Sequence, residues 1–175
     1  MGWTSPTGYT ESAWTDEQLT YDNDTATYAS YEVAKGSWSI YLVLTFSQIN
    51  CDKVQIWSSG QTSDIDQIEV DYYDTSWTNF YSGSLIQGQY IEYSIGSEVS
   101  ITSIRIRYYN SKANASRFAY CHEVQLNEVG AQQYEKNIGG NLNIAGNSKD
   151  KGIFTIKLGA LPTIPDYYEK GRKNI

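Results

Sequence analysis

The stretch Trp38-Ser-Ile-Tyr-Leu-Val-Leu-Thr-Phe46 alternates without a break. Ile40, Leu42, Leu44 and Phe46 fall on one face of an extended chain, with Tyr41, Val43 and Thr45 on the other. Successive side chains of a strand point to opposite sides, so a period of two predicts a β-strand with one buried face. Val54 and Ile56 continue the pattern after a turn predicted at Ser47–Asn50. Ile68, Val70 and Tyr72 alternate with Glu69 and Asp71, and Asp74-Thr-Ser76 turns the chain into Trp77–Tyr81. Tyr90–Ile95 and Ile101–Tyr109 follow, the latter with Ile104, Ile106 and Tyr108 opposite Arg105, Arg107 and Tyr109. Phe118–Val129 closes the series, with Tyr120, His122, Val124 and Leu126 on one parity. Six or seven short strands between Gly, Ser, Asn and Asp punctuation predict an all-β protein, an antiparallel β-sandwich or jelly roll.

The 175 residues allow one good-sized domain, or one domain with an extension. Hydrophobic residues make up 40%, enough for a packed core. A formal net charge of -7 disfavours nucleic acid or an anionic membrane as the main partner. No apolar run approaches the roughly 18 residues of a membrane span, so membrane insertion is not expected. The first nine residues lack the basic and apolar regions of a signal peptide.

The charge is divided. Residues 1–129 carry 6 Lys+Arg against 16 Asp+Glu, whereas residues 130–175 carry 7 against 4. The expected organisation is an N-terminal arm (1–9), a sandwich (10–129) and a basic C-terminal β arm or oligomerisation extension (130–175). In that extension, residues 139–147 and 151–159 alternate as short strands, and Pro162 and Pro165 keep the last segment extended. Forty-six residues with two strands cannot bury a core alone. They must lie on the body, join a neighbouring subunit, or dangle.

Ser12 through Tyr28, with the Asp-Asn-Asp run at 22–24, resembles the opening of a galactose-binding-like (discoidin, or coagulation-factor type C) domain. Trp38 through Phe46 is similar to that family's Trp-x-x-x-Leu-x-Val-x-Phe strand. Residues 49–56 resemble the next strand, and Glu123-Val-Gln-Leu126 the closing Glu-Ile-x-Val strand. The likeness covers about residues 10–129. Asn23 stands where the family usually has Gly, a substitution Asn permits where the backbone is left-handed.

The resemblance implies a structural Ca2+ held by Asp22, Asp24, Thr27 and Glu123. Calcium takes six to eight oxygens, and the loop is rich in carboxylates and hydroxyls. An Asx-rich turn that caps itself is the other reading of the same residues. The family also binds ligands at loops through aromatic and polar groups, which nominates Trp14, Trp77, Tyr31 and Arg117. Aromatic rings stack on the C–H faces of sugars, although Trp residues bordering strands more often serve the core.

Asp64, Asp66, Glu69 and Asp71 do not make a hydrolase pair, because Glu69 and Asp71 alternate as a solvated strand face would. His122 is the sole His, expected half-buried beside a hydrogen-bond partner. No nucleophile elbow or phosphate loop occurs, so an enzyme is not expected. Cys51 and Cys121 are expected to point away from the core, onto one side, where a disulfide is geometrically open.

Two functions from different classes follow. One is a structural subunit of a large assembly, such as a phage head-decoration, tail or fibre component, as the residue 139–146 stretch is weakly similar to phage fibre β-stalks. Its partners would be copies of itself or other virion subunits, and its place the virion or an extracellular surface. The other is a free carbohydrate-binding module, lectin-like, anchoring to glycans.

Overall fold

A computed structural model describes residues 2–129. The strands expected at 139–147 and 151–159, and the arm after them, lie outside the described residues. Within them, nine strands follow in order: β1 (Gly2–Thr4), β2 (Gly8–Thr10), β3 (Ala29–Val33), β4 (Ser37–Trp38), β5 (Leu42–Gly60), β6 (Ile65–Tyr73), β7 (Trp77–Ser84), β8 (Tyr90–Asn110) and β9 (Arg117–Glu128). A short 3-10 turn, Glu17–Thr20, interrupts the long connection between β2 and β3. Every pairing among these strands is antiparallel.

β5 and β8 are too long for one layer, and each changes partners along its length. The first half of β5 pairs with Ile101–Ile106 of β8, which pairs on its other side with β6, and β6 with β7. The second half of β5 pairs with Tyr90–Ser94 of β8 and with β9, whose far side takes β1 and β3. The two layers of the sandwich are therefore stitched by strands that pass from one to the other. Register shifts between Thr45 and Ile49 and between Cys51 and Lys53 mark the corner. Extra residues in one strand bend it and increase its twist, which is how a strand switches sheets.

The core lies between the layers. Leu42, Leu44, Ile104, Ile106, Ile68 and Val70 from one layer meet Val54, Ile56, Ala119, Val124 and Leu126 from the other, all essentially without exposure. Burying each Leu, Ile or Val side chain contributes about 1.5–3 kcal/mol. The alternation of Ile104, Ile106 and Tyr108 inward against Arg105, Arg107 and Tyr109 is realised.

Several expectations are corrected by the irregularities. The predicted turn at Ser47–Asn50 is a bulge inside one continuous strand, and residues 95–98 are likewise an excursion within β8. Ile40 is exposed because β5 begins only at Leu42. Cys51 and Cys121 are both buried and free, not outward. The bulge after Cys51 sends Asp52 and Lys53 outward together before Val54 returns to the core. A matching bulge at His122 lets Cys121 and Glu123 share the interior with Val124. The β5–β9 register sets Cys51 opposite Glu128 and Cys121 opposite Ser58. Seven residues of strand separate them, roughly 23 Å at the usual rise. A disulfide needs Cα atoms within about 7 Å, so none forms here.

Candidate functional site

Two features meet where the loop after the 3-10 turn crosses β9. The first is the Asp loop. Asn23 adopts φ +64°, the left-handed conformation expected of it, and so turns the chain back toward β9. Asp22 Oδ1 accepts from the Asp24 N–H (2.9 Å), and Asp24 Oδ1 accepts from the Ala26 N–H (2.8 Å). Thr27 Oγ1 lies 2.7 Å from Asp22 Oδ2 and 2.9 Å from the Asp24 carbonyl. The Asn23 N–H donates to Glu123 Oε1 at 2.5 Å, across the bulge of β9.

Glu123 is fully buried, and its Oε2 has no hydrogen-bond partner. Burial first, then the neighbouring Asp22 carboxylate, pushes its carboxyl up to about 7. Burial works against ionisation of Asp22 too, yet the bonds from Thr27 and the Asp24 N–H hold its pKa below the ordinary value. Two carboxylates thus crowd one spot with a single proton's worth of room.

Of the four residues nominated for calcium, Asp22, Thr27 and Glu123 converge. The Asp24 carboxylate caps its own loop and offers only its carbonyl toward Thr27. Among the described residues, no three Asp, Glu, His or Cys groups converge as a metal cluster. The donor set fits a hard cation only with two carboxylates completed by hydroxyl, carbonyl and water oxygens. The orphaned, buried Glu123 Oε2 is the observation that favours such a fit.

The second feature is a strip of aromatic rings on the outer side of β9. Ala119 and Cys121 are small and face inward, so Phe118 and Tyr120 face out. Their rings are parallel within 5°, with centroids 6.3 Å apart. Tyr28, at the end of the Asp loop, adds a third ring 4.6 Å from Tyr120 and 5.2 Å from His122. Tyr28 is 42% exposed and Phe118 38%, unusual for large apolar groups.

Polar groups frame the strip. His122 is half-buried, as expected. Its Nδ1 donates to the Thr25 carbonyl (2.9 Å), leaving Nε2 to accept from Ser59 Oγ (2.8 Å). Burial lowers its pKa, so the imidazole is neutral near pH 7. Gln61 Oε1 accepts the Phe118 N–H at 3.3 Å, at the strip's other end. The Thr25–His122 bond ties the two features together.

Of the four residues nominated for ligand binding, Trp14 and Tyr31 touch each other, and Trp77 and Arg117 make their contacts elsewhere. Trp14 is 4% exposed, and its Nε1–H donates to the Ile40 carbonyl at 3.3 Å. Its ring packs on Tyr108 and on Tyr31, 5.5 Å away, so Trp14 is a core residue and not a sugar platform. Tyr31 points toward the core from β3 and leans on that indole. Arg117 donates from Nε to Asp64 Oδ2 (2.9 Å), with Lys112 3.7 Å from the other oxygen. That Arg117 bond, first, holds the Asp64 carboxyl below its ordinary pKa. Trp77 lies on the opposite outer face, stacked on Arg105. Glu69 and Asp71 there are not a solvated face. Asp71 is 2% exposed and paired with Arg105, and Glu69 with Arg107.

Tyr28, Phe118 and Tyr120, the rings of the candidate strip, are not among the residues nominated from the sequence. Their signal was present: large aromatics alternating with Ala119 and Cys121 leave the small side chains to fit the core and the rings to face water.

Neither a protein-family model nor a curated protein matches the chain. Solved structures do. The CBM32 of AlyQ in complex with 4,5-unsaturated mannuronic acid is similar at TM-score 0.55 and 19% identity, covering 73% of this chain and 98% of that one. CBM32-1 from a family 31 glycoside hydrolase of Clostridium perfringens gives TM-score 0.53 at 10% identity, over 73% and 93%. A truncated AlyQ with CBM32 and alginate lyase domains gives 0.54 at 20%, over 74% of this chain and 34% of that one. The fold is the galactose-binding-like β-sandwich of CBM32 carbohydrate-binding modules, as the sequence resemblance implied. No helix among the described residues is long and apolar enough to cross a membrane.

Proposed function

We propose that the chain is a non-catalytic carbohydrate-binding module that holds a glycan against the Tyr28–Phe118–Tyr120 strip. The observation that carries this is the exposure of those rings beside fixed hydrogen-bonding groups on a rigid strand. A sugar offers apolar C–H faces to the rings and hydroxyls to the Ser59 Oγ, held by His122, and to the Gln61 amide. The fold shared with the CBM32 of AlyQ, whose structure is in complex with 4,5-unsaturated mannuronic acid, supports a carbohydrate ligand. Such a module works at an extracellular or cell-surface location, where polymeric glycans are. The test is a glycan array followed by titration of the full chain. Phe118→Ala and Tyr28→Ala should each weaken binding roughly five- to tenfold, the size of a lost ring contact. Absence of any glycan ligand, or variants that bind as well as the parent, would overturn the reading.

The Asp loop holds a structural calcium in this proposal, with Asp22, Glu123, the Thr27 hydroxyl and loop carbonyls as ligands. The ion would supply positive charge between two crowded carboxylates and pin Tyr28 and His122 in place.

A second reading, a subunit of a larger assembly such as a virion, draws on the charge division between residues 1–129 and 130–175. Opposite charges favour association within or between chains. It is compatible with glycan binding, since an assembly's outer surface can carry adhesive modules.

A further inference from the structure

The outer face of the other layer carries a stacked ladder that glycan binding at the β9 strip does not use. Arg105 Cζ sits 4.5 Å from the centroid of Trp77 and 4.1 Å from that of Tyr41. Arg107 Cζ sits 4.8 Å from Tyr41 and 4.9 Å from Trp38. The order along the sheet is thus Trp38, Arg107, Tyr41, Arg105, Trp77. Both Trp residues are half-exposed.

The ladder is held from beneath. Asp71 Oδ2 accepts from Arg105 Nε at 2.6 Å, and Asn79 Nδ2 donates to the other Asp71 oxygen at 2.7 Å. Glu69 accepts from Arg107 Nη2 (2.8 Å) and from the Tyr41 hydroxyl (2.7 Å). Burial first, then that bond to Glu69, pushes the Tyr41 phenol up to about 12, so it remains a donor. Each guanidinium is therefore fixed in position and in plane before any ligand arrives.

What the ladder leaves open decides its chemistry. Among the described residues, Arg105 engages only its Nε, so its Nη1–Nη2 edge has no protein partner. That edge presents two parallel N–H donors, matched to the two oxygens of a carboxylate. Arg107 likewise keeps Nη1 unpartnered. The arginine side chains stay 26% and 30% exposed, so these donors are reachable. A neutral structural ion pair would have no need for aromatic rings on both sides of each guanidinium and an unused bidentate edge.

The geometry points to a second binding face here, for an anionic polysaccharide of the uronic-acid class. One uronate carboxylate would take the Nη edge of Arg105, while a neighbouring sugar ring contacts Trp77 or Trp38. This site is separate from the strip on β9, and the two are distinguishable by variant. The body's net negative charge argues that binding is by these fixed contacts and not by a diffuse basic field.

The test uses the full chain titrated with trigalacturonate, polymannuronate and a neutral galactan oligosaccharide, read by calorimetry and Trp fluorescence. Wild type should bind at least one of the uronates, with a fluorescence change from the ladder Trp residues. Arg105→Lys keeps the charge and the Asp71 partner but lacks the bidentate edge. It should weaken uronate binding at least tenfold, leave any neutral-glycan binding unchanged, and melt like the parent. Phe118→Ala should leave uronate binding intact. Failure of wild type to bind either uronate, an Arg105→Lys variant that binds it as well as the parent, or loss in Phe118→Ala equal to that in Arg105→Lys would each overturn the proposal. None of these outcomes bears on whether a neutral glycan uses the β9 strip.

Discussion

At the scale of single residues, Glu123 and the two cysteines make opposite uses of burial. Glu123 without a cation has its carboxyl raised to about 7, against an ordinary 4.5. A carboxyl raised in the folded chain stabilises the fold fully below its unfolded pKa, and that stability is lost as pH rises toward the folded value. In chelator, therefore, unfolding free energy should fall by about 3 kcal/mol between pH 4.5 and 7.5 relative to Glu123→Gln, which lacks the titration. Excess calcium should remove the fall in the parent and do nothing to the variant. Urea midpoints measured across that range decide it, and a parent indifferent to calcium would sink the ion site. The thiols show burial without compensation. Removal from water, first, raises both Cys51 and Cys121 to about 12. Thiolate is the reactive form. Neither cysteine should react with an aromatic disulfide reagent at pH 8 until denaturant is added, when both should react.

At the scale of elements, regular strands explain the core and irregular ones explain the site. Leu42, Leu44, Ile104, Ile106 and Leu126 were readable as core because simple alternation holds where the ladder is regular. The inward turn of Cys121 and Glu123 was not, because the extra residue at His122 resets parity, and only a partner strand reveals a bulge. The same step that hides Glu123 from alternation delivers it to the Asn23 N–H, inside the Asp loop. Trp14 shows the converse limit. Composition marks a Trp as a sugar platform or a core anchor alike, and the choice depends on where the Ile40 carbonyl and Tyr108 lie. Tight corners are equally a matter of neighbours. At the end of β5, a Cβ added to Gly60 would stand 2.6 Å from Ile65 Cβ and 3.0 Å from the Thr62 carbonyl. Gly60→Ala should cost about 1–3 kcal/mol by forced displacement of β6, seen as a lower thermal midpoint. Gly2→Ala, with nothing within 4 Å, is the matched control and should be silent.

At the scale of the whole molecule, β5 and β8 make the sandwich a single cooperative body, since each contributes to both layers. Its buried cluster is assembled from residues 14 to 126. A chain ending at residue 129 should consequently fold, melt in one transition, and bind glycan as the full chain does. Residues 130–175 carry seven basic residues, and residues 1–129 carry sixteen acidic ones. If that complementarity acts between chains, the full-length protein sediments as an oligomer at low salt and dissociates as ionic strength rises, because screening shortens the reach of charge to about 8 Å near 0.15 M. The chain ending at 129 should be monomeric throughout. Light scattering on both proteins from 20 mM to 500 mM salt separates the possibilities. A full-length monomer at all salts would remove the assembly reading and leave the glycan-binding one standing, while an oligomer that persists in the shortened chain would place the interface on the sandwich itself.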